Sequence, residues 1–378
     1  MLQVTNYMLQ GPGILLLRLR RHPVSTSSSR SSPLLMHAAI PKLQTAAMSV
    51  IRTASHAGTW YSANATTLGA QIDRFIAEAR TQGQTEDKKD DGITGSTGLQ
   101  KGARVIVGPH AGYAYAGATL GKAYSAFDSS GIERVFILGP SHHVYFKGCV
   151  LTTNCDFYDT PFGKLQVDTE VVNELTELDS KLFKRMNITV DEDEHSFEMH
   201  MPFLHKVTES VGKHVKIVPI MISASDETFE NKVALSLKPY FEDKSNAFIV
   251  STDFCHWGSR FSYTSYTPSG SLADLEELPK NGKSPSGALP IFKSIEHMDK
   301  AAMKVMSTGS YRSFKDYMYL TENTICGAKP LSVLMLLMQD HIEDRAKNAL
   351  KFNGYAQSSQ ALTARDSSVS YGSAYAVI

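Results

Sequence analysis

The stretch RVFILGPSHH, residues 134–143, decides how the chain is organised. Its run of apolar and glycine positions at 135–139 predicts a strand that is buried on both faces. Pro140 has no backbone N–H to donate and ends the strand, and His142 and His143 follow it. Ligands of open α/β sheets bind outside the carboxyl ends of the strands. The two histidines are therefore either functional-site residues or ordinary loop residues.

The same pattern occurs at two other places in the chain, and this favours the functional interpretation. His110 follows the predicted strand in VIVGPHAGY, residues 105–113. Asp253 and His256 follow the predicted strand in FIVSTDFCHW, residues 248–257. Because the carboxyl ends of parallel strands share one edge of a sheet, these side chains can converge.

Two imidazoles with a third anionic or soft ligand are a common form of catalytic or redox metal site. The candidates for the third ligand are Asp253, Glu194, Glu198 and a cysteine. Cys326 is attractive because it lies in the predicted tight connection NTICG. The residues alone do not choose among these ligands, and a free cysteine is more usually a buried structural thiol.

Other polar and aromatic residues are candidates for the surroundings of such a site. Asp253 and His256 are spaced i, i+3, one turn apart if a helix begins at Asp253, and a carboxylate beside an imidazole suits general acid–base chemistry. The alternative is that Asp253 only caps that helix. His195 is predicted to line the pocket, and Trp60 and Tyr115 are either pocket walls or core aromatics.

The order of the predicted elements gives the fold class. Strands alternate with helices along the chain, which predicts an α/β fold: a three-layer αβα sandwich around a mostly parallel, mixed sheet, in one domain over residues 51–378. Segments near 81–102 and 267–290 lack apolar periodicity and are predicted to be surface insertions. Residues 191–207 are predicted to be helical, with a kink or break at Pro202.

Composition excludes several classes of protein. The 378 residues are 42% hydrophobic and 20% charged, as in a soluble globular protein. Lys+Arg and Asp+Glu both number 38, so no nucleic-acid partner is indicated, and no apolar run is long enough to predict a membrane span. The 4 cysteines include no CxxC pair, which favours reduced thiols and a cytoplasmic location, with a nuclear one also compatible.

Residues 1–50 are predicted to be a disordered, basic and Ser-rich extension. Residues 1–47 have no acidic residue, and this composition also fits a mitochondrial targeting segment. A start assigned too early, with the true start at Met48, is the other interpretation. The basic residues of this segment are Arg18, Arg20, Arg21, Arg30 and Lys42.

Several motifs, taken in chain order, resemble those of the Memo family. They are HAGTWY at 56–61, PHAGYAYAG at 109–117, ILGPSHHV at 137–144, DEDEHSFEMHMP at 191–202, STDFCHWG at 251–258, SIEHMDK at 294–300, NTICG at 323–327, GYAQSSQ at 354–360 and DSSVSYGSAYAV at 366–377. The resemblance covers the chain from about residue 54 to the C-terminus, except for the two insertions. The N-terminal extension lies outside it.

The resemblance implies a fold similar to that of the class III extradiol, LigB-type non-haem iron dioxygenases. It also implies a metal site of two histidines and a cysteine, which fall on His110, His142 and Cys326. It places Asp253 and His256 in the pocket and gives His256 the place of an acid–base histidine, and both residues are expected to be catalytic. The remaining residues expected at the pocket are Trp60, Tyr115, His195 and His143, with His143 a neighbour of the ligands.

The resemblance further implies an iron or copper ion with redox activity, and a link to receptor signalling and cell motility. The first functional hypothesis is therefore an iron- or copper-dependent oxidoreductase. The alternative is a non-catalytic binding module that takes phosphotyrosine-like peptides of signalling proteins in the same cleft. The dioxygenases have a carboxylate where this chain has Cys326, which argues against ring cleavage. A hydrolase is the least supported class, since no GxSxG or HExxH pattern occurs.

Overall fold

The computed structural model describes residues 48–82, 92–212, 214–339 and 349–378. The predictions for residues 1–47 lie outside these ranges. The strands are β1 Ile51–Arg52, β2 Ala103–Gly108, β3 Arg134–Pro140, β4 Val150–Thr152, β5 Phe157–Thr160, β6 Gly163–Val167, β7 Phe183–Arg185, β8 Lys216–Ile222, β9 Asn246–Ser251, β10 His256–Trp257, β11 Ser265–Tyr266, β12 Glu276–Glu277, β13 Lys351–Gln357 and β14 Ser368–Val377. The helices are α1 Ala65–Gln82, α2 Tyr113–Ala126, α3 Thr169–Leu178, α4 Ile188–Asp193, α5 His195–Glu198, α6 Met201–Glu209, α7 Glu227–Glu242, α8 Ile291–Ser307, α9 Tyr311–Thr321 and α10 Ala328–Gln339.

The main sheet is mixed, with a parallel centre. Its strand order is β1-β5-β6-β8-β3-β9-β2-β14-β10, and β8, β3, β9 and β2 are parallel neighbours. β14 runs antiparallel to β2, and β5 runs antiparallel to β6. The predicted mixed, mostly parallel α/β sheet is confirmed, and the three strands that deliver polar residues are adjacent in the order β3-β9-β2.

Helices cover both faces of this sheet, which gives the predicted three-layer sandwich. α2 packs on β2 and β14 and is covered by α1, whereas α7 and α10 pack together against β3 and β9. The positions Val135, Phe136, Ile137 and Leu138 of β3 are all fully buried. A strand with helices on both sides buries both of its side-chain sets, and this is why the apolar run of β3 does not alternate.

Two glycines of α2 allow α1 to pack closely against α2. A Cβ at Gly117 would overlap the ring of Phe75 on α1, and one at Gly121 would lie 2.9 Å from the backbone carbonyl carbon of Phe75. The small residues of α2 therefore serve its contact with α1 as well as its contact with the sheet.

Residues 191–207 form the short helices α4, α5 and α6. The breaks fall at Glu194 and at Met199–His200, earlier than the predicted break at Pro202. Pro202 lies in the first turn of α6, where a missing N–H leaves no intrahelical hydrogen bond unmade. Because the first break falls at Glu194, α5 begins at His195, which is one of the predicted pocket residues.

Both segments predicted as insertions contact the rest of the chain where they are described. The backbone N–H groups of Thr94 and Gly95 donate to the carbonyl of Phe352 on β13. Within residues 267–290, β12 pairs with β11, and Leu278 is buried with Trp257 in a second small core. Among the described helices, none is both long and apolar enough to cross a membrane.

Candidate metal centre

Three histidines meet at the carboxyl edge of the central strands. His110 follows β2, His142 follows β3, and His195 begins α5. The ring centroids of His110 and His142 lie 5.0 Å apart, and that of His195 lies 5.3 Å from His110 and 4.3 Å from His142. One ring nitrogen of each lies within 4.8 Å of those of the other two. The three imidazoles together could hold a metal ion.

Ser251, the last residue of β9, fixes the tautomer of His110. The hydroxyl of Ser251 donates to the carbonyl of Ser196, with an O···O distance of 2.6 Å. A hydroxyl has a single hydrogen, so the 2.7 Å contact between Ser251 Oγ and His110 Nδ1 requires Nδ1 to be the donor. His110 Nε2 therefore carries the lone pair, and it lies 3.1 Å from Cys326 Sγ.

Glu194 orients His142 in the corresponding way. Its carboxylate accepts the backbone N–H of His142 at 2.7 Å and ring Nδ1–H at 2.8 Å. Burial lowers the pKa of His142, but hydrogen bonds with Cys326 and Glu194 outweigh burial and raise the pKa to about 10. Burial also raises the pKa of Glu194, but His142 holds it at about 2. Nδ1 is engaged, so Nε2 is the nitrogen of His142 that faces the thiol.

Cys326 enters the site from the connection between α9 and α10. Its Sγ accepts the backbone N–H of Asp253 at 3.1 Å. Burial raises the pKa of the Cys326 thiol, and the hydrogen bond with His142 opposes that rise. Gly327 allows the loop to lie here, because a Cβ at this position would overlap the side chain of Thr252.

Asp253 contacts two of the candidate ligands, His110 and Cys326. Its Oδ1 accepts the backbone N–H of His110 at 2.9 Å, and its own N–H binds Cys326. Burial raises the pKa of Asp253 to about 7, against the backbone hydrogen bond from His110 and the charge of His142. The carboxyl can therefore hold or release a proton near neutral pH.

His256 does not pair with Asp253 as the i, i+3 spacing predicted. No helix begins at Asp253, and His256 instead begins β10, which pairs with β14. His256 Nδ1 lies 2.9 Å from the carbonyl oxygen of Phe254 and 3.2 Å from that of Thr324. Carbonyls only accept, so Nδ1 carries the hydrogen and Nε2 can accept a proton. Burial lowers the pKa of His256, which keeps its ring neutral.

The predicted pocket residues divide into two groups. Trp60 is 36% exposed, and its ring centroid lies 4.5 Å from that of His195. The ring centroid of His143 lies 6.2 Å from that of His195. Burial and the charge of His142 lower the pKa of His195 to about 3. Tyr115 is 66% exposed on α2, and no ring contact joins it to the described histidines of the site. The structure thus brings Trp60 and His195 together and leaves Tyr115 outside the cluster.

The sequence interpretation missed His56 and the role of Glu198. The Glu198 carboxylate accepts from His56 Nδ1 at 2.9 Å, from Tyr61 at 2.7 Å and from the guanidinium of Arg52 at 2.7 Å. Glu198 is therefore engaged by this buried network and is not a free ligand. Glu194 and Glu198 both support imidazoles, and their i, i+4 spacing across α5 is the signal that could have indicated two such pairs.

The donor set fits a transition-metal ion. His110 Nε2 faces the thiol with its lone pair, and His142 Nε2 would offer one once a metal ion displaces the proton that its raised pKa retains. The second ring nitrogen of each is held by a buried oxygen, as is usual for histidine ligands. Imidazole and thiolate together favour soft or borderline ions such as copper, iron or zinc.

The fold and the site define a class of α/β proteins with a histidine cluster at the carboxyl edge of a parallel sheet centre. A family model described as Memo-like protein matches residues 52–375, and the chain belongs to the Memo family. Protein MEMO1 of Xenopus laevis is 38% identical over 330 residues, which cover 87% of this chain and 98% of that protein. MEMO1 family protein MHO1 of Saccharomyces cerevisiae is 38% identical over 351 residues, covering 87% and 99%. Protein MEMO1 of Homo sapiens is 37% identical over 322 residues, covering 85% and 96%.

The family prediction from the motifs is therefore confirmed. An uncharacterised protein of Escherichia coli K12, known from a crystal structure, has a TM-score of 0.40 at 12% identity, covering 70% of this chain and 98% of that one. The similarity to the dioxygenases remains a prediction.

Proposed function

We propose that this chain is a metal-binding redox protein that holds an iron or copper ion through His110, His142 and Cys326. One observation carries the proposal. Both histidines have Nδ1 bound to a buried oxygen, from Ser251 and Glu194. Nε2 is therefore the nitrogen left for the contact that each ring makes with Cys326. A structural core histidine needs no such common orientation.

The residues around these ligands suit proton handling. A bound iron or copper ion would supply one-electron redox chemistry. Asp253, with a pKa of about 7, holds or releases a proton at its buried carboxyl beside His110 and Cys326. His256 accepts a proton at Nε2, because the carbonyls of Phe254 and Thr324 fix its other nitrogen as the donor.

Oxygen consumption in a single turnover tests the redox part of the proposal. Metal-loaded wild-type protein with a chemical reductant is expected to consume oxygen above the rate of free metal, and His110→Ala is expected to lose that activity. His297→Gln removes an exposed imidazole on α8 and serves as the control for surface-bound metal. Equal oxygen consumption by wild type and His110→Ala contradicts the redox proposal.

A second candidate function is recognition of phosphotyrosine-like peptides, and the exposed Trp60 ring favours it. An aromatic face beside a cluster of imidazoles offers stacking and hydrogen-bond donors to an aryl phosphate. Binding of a phosphotyrosine peptide that persists after metal removal, and is lost in Trp60→Ala, supports this function. Absence of binding to the metal-free protein contradicts it. Cytoplasmic location, signalling and motility remain predictions that rest on the resemblance.

A further inference from the structure

His195 contributes a ring nitrogen to the cluster that it forms with His110 and His142, and no described hydrogen bond gives this nitrogen another role. Its Nδ1 lies 3.8 Å from Glu194 Oε1, which is too long for a hydrogen bond. Within the described ranges, no hydrogen bond engages either ring nitrogen of His195. The side chain is 13% exposed. A nitrogen of this ring lies within 4.8 Å of one on His110 and one on His142.

The scaffold fixes His195 relative to His142. Glu194 Oε1 accepts the ring N–H of His142 at 2.8 Å and the backbone N–H of Ser196 at 2.9 Å. The same carboxylate thus ties the end of β3 to the start of α5. The ring of Trp60 lies against His195 at 4.5 Å and restricts its rotation. His195 is held in place by packing rather than by a hydrogen bond to another residue of the described ranges.

Cys326 approaches the same two histidines from a different element. Its loop follows α9 and is tied to β9 through the N–H of Asp253, whereas His195 is tied to β3 through Glu194. The two side chains are therefore held by different contacts, although Ser251 of β9 also donates to the carbonyl of Ser196 beside His195. They also differ in chemistry: a thiolate prefers soft ions, and an imidazole suits divalent ions such as Ni(II).

We propose that His195 is an alternative third ligand, so that the site has two donor sets which share His110 and His142. Cys326 completes the set for soft ions such as Cu(I), and His195 completes an all-imidazole set for Ni(II). This inference rests on the proposed function, because it requires that the shared histidines bind metal.

Two dissociation constants, measured on the full chain, test the inference. Cu(I) affinity is measured without oxygen by competition with a chromophoric chelator, and Ni(II) affinity is measured by calorimetry. His195→Gln is expected to weaken Ni(II) binding by about 10–100-fold or more, since removal of a partner outside the coordination sphere already costs that much. Its Cu(I) constant is expected to stay that of wild type. Cys326→Ser is expected to show the reverse, and His297→Gln is expected to change neither constant.

The crossed pattern also controls for misfolding, because a misfolded variant would lose both ions. His195→Asn provides a second, smaller amide at the same position, and thermal melting of the metal-free proteins compares their stability. If His195→Gln changes neither constant, or weakens both ions equally, the inference is overturned while the proposed function stands. If wild type binds neither ion, the proposed function itself fails.

Discussion

The substitution Ser251→Ala tests most directly whether the hydrogen bond with Ser251 keeps His110 Nε2 available to a metal ion. The Ser251 hydroxyl is the only described side-chain group that both accepts from His110 Nδ1 and donates to the Ser196 carbonyl. Alanine fills most of the same space, so the substitution removes the hydrogen bonds with little change in packing. The imidazole of His110 then loses the partner that keeps Nε2 unprotonated.

The size of the effect follows from burial. Ser251 is fully buried and His110 is 1% exposed, so the Nδ1–H is left without a partner in a dry environment. An unsatisfied buried donor costs about 1–3 kcal/mol of the free energy of unfolding. The loss of a partner that orients a histidine ligand weakens metal binding by about 10–100-fold. At about 1.4 kcal/mol per tenfold, this corresponds to about 1.4–2.8 kcal/mol of binding free energy.

The assay pairs urea unfolding of the metal-free protein with metal competition titrations. Ser125→Ala is the matched control, because Ser125 is also fully buried, donates to the Lys122 carbonyl at 2.8 Å and lies at the far end of α2. Both variants are expected to lose stability, but only Ser251→Ala is expected to lose metal affinity. Wild-type affinity in Ser251→Ala would refute the tautomer argument.

Three further predictions concern the supports of the site. The pKa of His142 is raised from 6.5 to about 10, so its contribution to the stability of the metal-free protein is complete below pH 6.5 and is lost as the pH rises through about 10. Unfolding measurements across that range should show the decline, and Glu194→Gln should flatten it. Arg52→Met leaves two buried carboxylates without their cation and is expected to cost about 3–5 kcal/mol in urea unfolding; a loss near zero would contradict the network's role. Gly327→Ala forces a Cβ against Thr252 and is expected to cost about 1–3 kcal/mol and to weaken metal binding; wild-type values of both would show that the loop adapts freely.

Much of the fold could be predicted because the central strands are buried on both faces. The run at residues 135–138 can only be a fully covered strand or a core helix, and the flanking proline and its short length favour the strand. Once β2, β3 and β9 are parallel, the convergence of the polar residues that follow them is a consequence of topology. The adjacency of these three strands in the structure agrees with that reasoning.

The hydrogen-bond partners in the site could not be predicted in the same way. Spacing along the chain suggested that Asp253 supports His256, but the chain turns into β10, and backbone carbonyls take that role. The sequence indicates Glu194 only as a candidate ligand, because nothing in a linear sequence shows which imidazole a carboxylate faces. Ser251 ends β9 at the same sheet edge as the histidines, but its spacing along the chain does not connect it to His110. A polar residue at the last position of a buried strand is a signal that could be used.

The most direct test of the metal-site proposal is the metal content of protein purified without oxygen. His142, which lies in the stretch 134–143 that organises the chain, belongs to both proposed donor sets, so His142→Gln removes a shared ligand. Wild type and His297→Gln are expected to carry a stoichiometric amount of iron or copper by elemental analysis, and His142→Gln is expected to carry far less. Equal metal content in wild type and His142→Gln, or a metal-free wild type that binds no added metal, would contradict the metal site.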